Sequence, residues 1–190
     1  MLVLNPQSLA LGALVLACAS PFHCSRITRP APQSECHQNL KSIFTHIRIT
    51  PPREHEARGI QPTFNTFGVF LERGNRYAYF LGPGPLEDRS GADFVQAPGQ
   101  MGIGVDTFKY VGHPALTFSD LPPEVARQVG LRVDTTAGAY DFVAACAGNI
   151  DNNVNDHPDI WTISSKDRRI NGEYVEAGEP YNHVNDETTY

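Results

Sequence analysis

The sequence predicts an α+β fold, in which a long N-terminal helix packs on an antiparallel β-sheet and the C-terminal part is rich in loops. Two observations predict this fold. An apolar stripe with the spacing of an amphipathic helix runs through residues 34–49, and several short β-favouring segments bounded by Gly and Pro follow it. Because a helix with one apolar stripe has to bury it, a sheet formed by the later segments is the expected partner.

The composition describes a globular protein with a substantial core. The chain has 190 residues, of which 41% are hydrophobic and 19% charged, and this length suits one domain with an appendage. The 16 Gly and 15 Pro residues favour strands and loops over a helical bundle. The net charge of −6 and the scattered Lys and Arg residues argue against nucleic acid as a partner, because phosphate binding needs clustered basic side chains.

Residues 1–20 are predicted to form an apolar export or membrane segment, and residues 21–190 the globular domain. The run Leu9–Ala19 is shorter than the ~20 residues that span a bilayer as a helix, but it has the length of a secretory hydrophobic region. The preceding residues lack the Lys or Arg that normally begins a signal peptide. Val15–Cys18 resembles a lipoprotein processing box, which makes Cys18 a candidate for lipidation. The alternative is that the run forms a buried core helix.

The first predicted element of the domain is a helix over residues 34–49. Ser34 is the predicted N-cap, and Thr50–Pro52 ends the helix, since the residue before a proline is disfavoured in a helical conformation. Apolar side chains recur at helical spacing along one face of this helix, at Cys36, Leu40, Ile43, Phe44 and Ile47.

Four later segments are predicted as strands and one as a short helix. Aromatic and β-branched residues lie between turn signals in Arg76–Leu81, Val105–Val111, Ala139–Asn149 and Asp159–Ser164. Leu121–Gly130 has Pro near its start and Gly at its end, as a short helix would. We expect Trp161 to anchor the core of the sheet, and the polar segment 171–190 to wrap over the surface.

The four cysteines are Cys18, Cys24, Cys36 and Cys146. An even number in an exported chain permits disulfides, but spacing alone does not decide the pairing. Cys24 and Cys36 can approach each other only if the chain folds back at the intervening prolines. A zinc site is not favoured because no C-x-x-C is present, and both residues are predicted to be ordinary helix residues.

No pattern of catalytic residues is recognisable, and we predict that the protein is not an enzyme. The seven histidines are dispersed, and the sequence has no H-E-x-x-H, G-x-S-x-G, P-loop or dinucleotide-binding pattern. No cofactor is expected apart from calcium, for which one loop provides ligands.

That loop lies in Gly148–Ser164 and is rich in Asn and Asp. Its oxygen-bearing residues Asp151, Asn153, Asn155 and Asp159 partly reproduce the spacing of a calcium loop. However, Asp156 stands where an EF-hand needs Gly, and Thr162 where it needs a bidentate Glu. The alternative is a tight connection between two strands, because Asn and Asp close turns by bonding their own backbone.

Three stretches of the sequence resemble type IV pilins. The helix segment carries the pattern E-x-x-x-N-L-K-x-I-F from Glu35 to Phe44, and Phe70–Gly84 resembles the family's entry into its sheet. Tyr140–Ser164 resembles the pilin ending, where a G-N pair, an Asp/Asn loop and a Trp occur together. Gly178–Glu187 is similar to the tail of some large pilins.

The resemblance implies a pilin-like fold and a non-enzymatic filament subunit. Pilins have a long N-terminal helix whose second half packs on an antiparallel sheet. The apolar part of that helix anchors the subunit in the inner membrane and is later buried in a filament, which an assembly ATPase and a platform protein extend. Other pilin subunits and this machinery would be the partners, and the protein would be exported to the cell surface. We expect the helical stripe to face a sheet that contains Phe80, Phe142 and Trp161.

The N-terminal segment departs from the pilin pattern. Met1–Leu16 has no basic leader, no G-F pair and no Glu, and Pro6, Pro30 and Pro32 disfavour one continuous helix. Three interpretations follow: the start codon is misplaced, the protein is a minor or degenerate pilin that no longer polymerises, or the segment is a signal peptide or lipoprotein anchor. The alternative function is a monomeric exported lipoprotein, or a secreted binding module, that keeps the pilin-like fold.

Overall fold

The computed structural model describes residues 32–53, 56, 61–91, 93, 99–151, 153 and 157–186. The helices in these ranges are α1 (Pro32–Ile49) and the one-turn α2 (Pro123–Ala126), with 3-10 turns at Phe64–Phe67 and Phe118–Asp120. The strands are β1 (Tyr77–Phe80), β2 (Leu86–Glu87), β3 (Gly102–Ile103), β4 (Gly130–Asp134), β5 (Ala139–Gly148), β6 (Asp159–Ser164), β7 (Arg168–Ile170), β8 (Glu173–Val175) and β9 (Tyr181–Val184). The predicted α+β class is confirmed.

Seven of these strands form one sheet. Its order is β2-β3-β1-β5-β6-β9. β4 and β1 both pair with the same edge of β5: β4 pairs with its first half and β1 with its second half. Among the described strands only β2 and β3 pair in parallel. The long strand β5 organises the sheet, because β1, β4 and β6 all pair with it. β7 and β8 form a separate hairpin, turned by Asn171 and Gly172, which both have positive φ.

One face of the sheet, which we call the helix side, is covered by α1. The helix contributes the predicted stripe, in which Cys36, Leu40, Ile43 and Ile47 are fully buried. Phe44 is partly buried, and its ring packs on that of Phe142 with the ring centroids 5.8 Å apart. The prediction that the stripe packs on the sheet is therefore confirmed. Trp161 also lies on this side and packs against the core, although it is only partly buried.

The opposite face of the sheet, which we call the loop side, is covered by the segment 105–129. Its apolar residues Val105, Leu116, Leu121, Val125 and Val129 pack on sheet residues that include Phe80, Ala145 and Ile160. Phe80 belongs to the sheet on which the stripe packs, as predicted, but its side chain lies on the loop side. Side chains alternate along a strand, and the neighbouring Tyr79 takes the helix side.

Most of the predicted elements are present with small shifts at their ends. β6 has the predicted bounds, β1 and β5 lie within the predicted segments, and the predicted helix at Leu121–Gly130 is reduced to the single turn of α2. The Asn/Asp-rich loop connects β5 to β6, which pair antiparallel. α1 begins at Pro32, so that Ser34 lies inside the helix and is not its N-cap. Pro suits the first turn of a helix because its missing N–H would have no intrahelical acceptor there.

The predicted strand at Val105–Val111 is a turn instead. The carbonyl of Asp106 accepts hydrogen bonds from the N–H groups of Lys109 and Tyr110, and its carboxylate accepts those of Gly74 and Asn75. These bonds bend the segment, and a strand cannot form because its backbone groups are already engaged.

The C-terminal segment is more regular than predicted. Instead of wrapping over the surface, it adds β8 and then the edge strand β9, which pairs with β6. The polar side chains of β9 have partners in the sheet: Asn182 donates to Asp159 at 3.0 Å, and a ring nitrogen of His183 lies 2.9 Å from the hydroxyl of Thr162. A polar strand can therefore pair here without exposing unsatisfied groups.

The apolar segment 1–20, with Cys18, lies outside the described residues. Within the part of the chain that the structure describes, no helix has both the length and the apolar character needed to cross a membrane.

Candidate functional site

The first two turns of α1 are joined to the sheet by a disulfide and by several side-chain hydrogen bonds, and we call this contact the helix–sheet seam. It comprises α1 residues 33–40 with the facing side chains of β1, β5, β6 and β9. Its centre is a disulfide between Cys36 in α1 and Cys146 in β5, with a Cα–Cα distance of 6.3 Å and both residues fully buried. The bond closes a separation of 110 residues, which in the chain-entropy model stabilises the fold by about 4–5 kcal/mol.

Glu35 forms the second connection of the seam. It lies in the first turn of α1, and its Oε1 accepts a hydrogen bond of 2.9 Å from the backbone N–H of Arg76. Burial raises the pKa of Glu35 above its ordinary value, although the backbone donors of Arg76 and Tyr77 and the charge of Arg76 oppose the shift. A carboxylate at the N-terminus of a helix is favoured by the helix dipole, and here it also fixes the start of β1.

Asp159, the first residue of β6, forms the third connection. Its Oδ2 accepts hydrogen bonds from the hydroxyl of Tyr77 at 2.7 Å and from the indole N–H of Trp161 at 2.6 Å. Its Oδ1 accepts one from Asn182 at 3.0 Å and a long one from Gln33 of α1 at 3.4 Å. Burial raises the pKa of Asp159 despite these donors. The carboxylate therefore joins α1, β1, β6 and β9 at one buried point.

The tyrosines of β1 complete the seam. The hydroxyl of Tyr79 accepts a hydrogen bond of 2.7 Å from Asn39 of α1, and burial raises the pKa of both Tyr77 and Tyr79, so that both hydroxyls stay protonated. The ring of Tyr77 lies over Gly148, where a Cβ atom would stand 2.5 Å from Cδ1 of the ring. The glycine of the G-N pair in the pilin-like ending is thus required by close packing on β1.

A buried ionic cluster holds the chain that leads into β1. The guanidinium of Arg89 donates to Glu87 at 2.7 Å, to Asp106 at 3.4 Å and to the carbonyl of Leu71 at 3.1 Å. Arg89, Glu87 and Asp106 are all almost fully buried. Since Asp106 also binds the backbone of Gly74, the cluster sets the path of the E-R-G-N-R segment. Removing one partner of such a cluster is costly, because it leaves a buried charge uncompensated.

The predicted calcium ligands that the structure describes already have hydrogen-bond partners within the protein. Asp151 bonds the backbone N–H of Asn153 at 2.8 Å, as an Asx turn does, whereas Asn155 lies outside the described residues. Asp159 points into the seam, where both its oxygens already accept hydrogen bonds. Among the residues that the structure describes, no group of three or more His, Cys, Asp or Glu is placed to hold a metal ion. Calcium binding at this loop stays a prediction, and Asp159 could join it only by giving up these donors.

The sequence pattern did not reveal the seam. The Cys36–Cys146 pairing could not be chosen among four cysteines, and Glu35, Asn39 and Tyr77 had no assigned role. One signal was present: Glu35 and Asn39 flank the apolar stripe at a spacing of four residues, which places both on the side of α1 next to Cys36 and Leu40.

Comparison with known families agrees with this architecture. Residues 28–157 match the family model of type IV pilin PilA, which covers more than half of the chain. No curated protein matches the sequence. The matched range includes α1, β1 and β5, and therefore both cysteines of the disulfide and Glu35. The chain belongs to the type IV pilin PilA family, whose members are structural and non-catalytic proteins.

Proposed function

We propose that this protein is an exported filament subunit, in which the helix–sheet seam holds the globular head to the rod formed by the N-terminal helix. The observation that carries the proposal is the Cys36–Cys146 disulfide, which joins the first turn of the helix covalently to the central strand of the sheet. In a filament whose core is made of helices, each head is attached to that core through its own helix.

The position of the seam supports this role. Residues 1–31 precede α1 and join it at Pro32, so a pull on those residues enters the head at the first turn of α1. Glu35, Cys36 and Asn39 all make their contacts within two turns of that point. A pull along the helix is therefore taken up by a covalent bond and partly buried hydrogen bonds before it reaches the apolar stripe beyond.

The disulfide also supports export. Structural disulfides form and persist in oxidising compartments, such as the periplasm and the cell surface, and are rare in the cytosol. This agrees with the family, and with a location in a pilus or at the cell surface. We propose that residues 1–20 hold the subunit in the inner membrane before assembly, and that other pilin subunits and the assembly machinery are its partners.

The test uses the full chain expressed in its own host. Filaments are sheared from the cells, and we expect the protein in the sheared fraction when the assembly ATPase is present and not when it is deleted. The double substitution Cys36→Ala with Cys146→Ala should lower the recovered amount by at least about fivefold, while Val125→Ala on the loop side, a matched core change away from the seam, should leave most of it.

Absence from the sheared fraction would favour the alternative, a monomeric exported protein with a pilin-like fold. Labelling with a lipid precursor, lost on Cys18→Ala, would identify that protein as a lipoprotein. Recovery of the doubly substituted protein at the level of the unsubstituted one would contradict the role given to the seam.

A further inference from the structure

A cluster of cations and aromatic rings lies beside the first turn of α1, and we call it the basic shoulder. It consists of Arg73, Arg76 and Lys109 with Phe108 and Tyr110. The guanidinium of Arg73 lies 5.5 Å from the ring centroid of Phe108, that of Arg76 lies 5.0 Å from the ring centroid of Tyr110, and the Lys109 ammonium lies 5.6 Å from the same ring. Two loops that are distant in sequence thus form one surface.

The shoulder is held in place by the scaffold beneath it. The hydroxyl of Tyr110 donates to the carbonyl of Gly74 at 2.9 Å, and Asp106 binds the backbone of Gly74 and Asn75 from the buried side. Glu87 and Arg89 lie under it, fully buried. The cations are therefore presented on a rigid support, and their stems pack on rings that keep the charged ends at the surface.

The charge of the shoulder is opposite to that of the whole chain. The protein carries a net charge of −6, yet three cations stand together here, with Glu72 as the exposed acid of the same segment. The carboxylates packed against the shoulder from below, Glu87 and Asp106, are engaged with Arg89. Glu35 is half-buried in the seam and interacts with the charge of Arg76. Arg73 donates to the carbonyl of Gly91 at 2.9 Å, on the loop that carries the exposed Asp88 and Asp93, so the basic part of the surface is formed by Arg76 and Lys109.

The position of the basic shoulder on the head indicates that it faces the membrane. The backbone of Arg76 is bonded to Glu35, so the shoulder stands at the end of the head where residues 1–31 join α1. Those residues contain the apolar run Leu9–Ala19. A head held to a bilayer through that run turns this end towards the lipid headgroups. Basic side chains interleaved with aromatic rings are the composition found where proteins meet an anionic membrane surface.

We propose that the basic shoulder docks the head on anionic lipid headgroups while the subunit waits in the membrane. The proposal rests on the membrane anchoring given above for residues 1–20, and it adds a contact that the anchor does not supply. It also implies that the shoulder must leave the membrane when the subunit enters a filament, so weak and salt-sensitive attraction suits it better than insertion.

The experiment measures flotation of the full chain with vesicles of phosphatidylcholine alone or with 30 mol% phosphatidylglycerol. Partition into the neutral vesicles reports the anchor, and the increase on adding the anionic lipid reports the shoulder. Since each cation near an anionic surface raises binding by roughly fivefold, we expect an increase of about tenfold or more at low salt, largely lost in 0.5 M NaCl, a concentration chosen to shorten the screening length to about 4 Å.

The double substitution Arg76→Glu with Lys109→Glu should reduce the increase to about twofold or less. Arg48→Glu with Arg169→Glu is the matched control, because it makes the same change of charge at two exposed positions away from the shoulder and should keep the increase. Equal thermal unfolding of the two variants would show that both are folded.

The proposal would be overturned if phosphatidylglycerol did not increase vesicle binding, or if both variants lost the increase equally. Binding of a DNA duplex that depends on Arg76 and Lys109, without any increase on anionic vesicles, would also overturn it and assign the surface to nucleic acid. If the protein does not bind neutral vesicles, the anchoring proposed for residues 1–20 is contradicted. The proposal for the basic shoulder is then still judged by the increase in binding on adding phosphatidylglycerol.

Discussion

The two sides of the sheet are covered in different ways. On the helix side, one continuous helix is joined to the sheet by a disulfide, by the half-buried carboxylate of Glu35 and by the buried carboxylate of Asp159. On the loop side, the segment 105–129 covers the sheet with short turns and apolar contacts, and the one disulfide in the described residues is not there. Both sides bury apolar area, but only one is cross-linked.

This difference follows from where each cover leads. Residues 1–31 join the described part of the chain at the start of α1, so a pull on them would act across the helix side. The segment 105–129 begins and ends within the sheet, between β3 and β4, and transmits nothing beyond the head. Apolar packing is sufficient to hold a cover that carries no load, whereas the connection that we propose to carry load at α1 needs directional and covalent bonds.

The largest expected effect tests the cross-link. Replacing both Cys36 and Cys146 with Ala should lower the free energy of unfolding by about 4–5 kcal/mol, because the disulfide closes a long loop in the unfolded chain. Urea denaturation followed by circular dichroism measures it. Because both cysteines are fully buried, reductant added to the folded protein should act slowly. A loss below about 1 kcal/mol would mean that the two sides of the sheet are held equally by packing.

The second effect compares one leucine from each side. Leu40 on the helix side and Leu121 on the loop side are both buried, and truncating either to Ala leaves a cavity. We expect a loss of about 3–4 kcal/mol for Leu40→Ala and of about 2 kcal/mol for Leu121→Ala, since the cost depends on how far the surroundings can close the cavity. The disulfide one turn away prevents α1 from moving into the cavity left by Leu40→Ala. The loop-side segment has no such cross-link in the described residues, so it can move to close part of the cavity left by Leu121→Ala.

Urea denaturation of the two single variants, with the disulfide intact, measures this difference. The protein that carries Cys36→Ala with Cys146→Ala provides the control, because Leu40→Ala should cost less there once α1 can move. Equal losses in both proteins would contradict the comparison.

The smallest effect concerns pH. Burial raises the pKa of Glu35 above 4.5, so its contribution to stability is complete below that value and is lost as the pH rises through the folded-state pKa. Asp159, whose pKa burial also raises, acts in the same direction. Mild acidification from neutral pH should therefore strengthen the seam, and Glu35→Gln should remove part of that increase.

Thermal unfolding of both proteins across neutral to mildly acidic pH measures the effect as the difference between them. Asp141 at the far end of β5 is the control site. Burial raises its pKa, but hydrogen bonds from Arg132, Lys166 and Ser165 outweigh this and lower it, so that its contribution is lost as the pH falls. Asp141→Asn should therefore change the slope in the opposite direction. The same sign for both substitutions would contradict the assignment.

Much of the fold could be predicted because it is encoded locally. The stripe from Cys36 to Ile47 repeats with the period of a helix, and the segment Asp159–Ser164 has the composition of a strand, so both were recognisable from their own residues. Where the prediction is wrong, a distant group has taken over. Val105–Val111 has the residues of a strand, but Asp106 bonds Gly74 and Asn75 more than thirty residues away and turns the chain.

The side of the sheet that each strand residue faces also depends on distant groups. Alternation along β1 indicates that Phe80 and Tyr79 point to opposite sides, but not which of them meets the helix. That choice was made by the tertiary structure, through the hydrogen bond of Asn39 to Tyr79 and the pairing of Cys36 with Cys146.

The sequence by itself determined the helix α1, the strands β1, β5 and β6 and the membership of the pilin family, because periodicity and motifs act over a few residues. Only the tertiary structure decided the disulfide, the carboxylate contacts of Glu35 and Asp159, and the assembly of the basic shoulder from two loops. Each of these depends on groups separated by 30 to more than 100 positions, which come within bonding distance only after the sheet and the helix have packed.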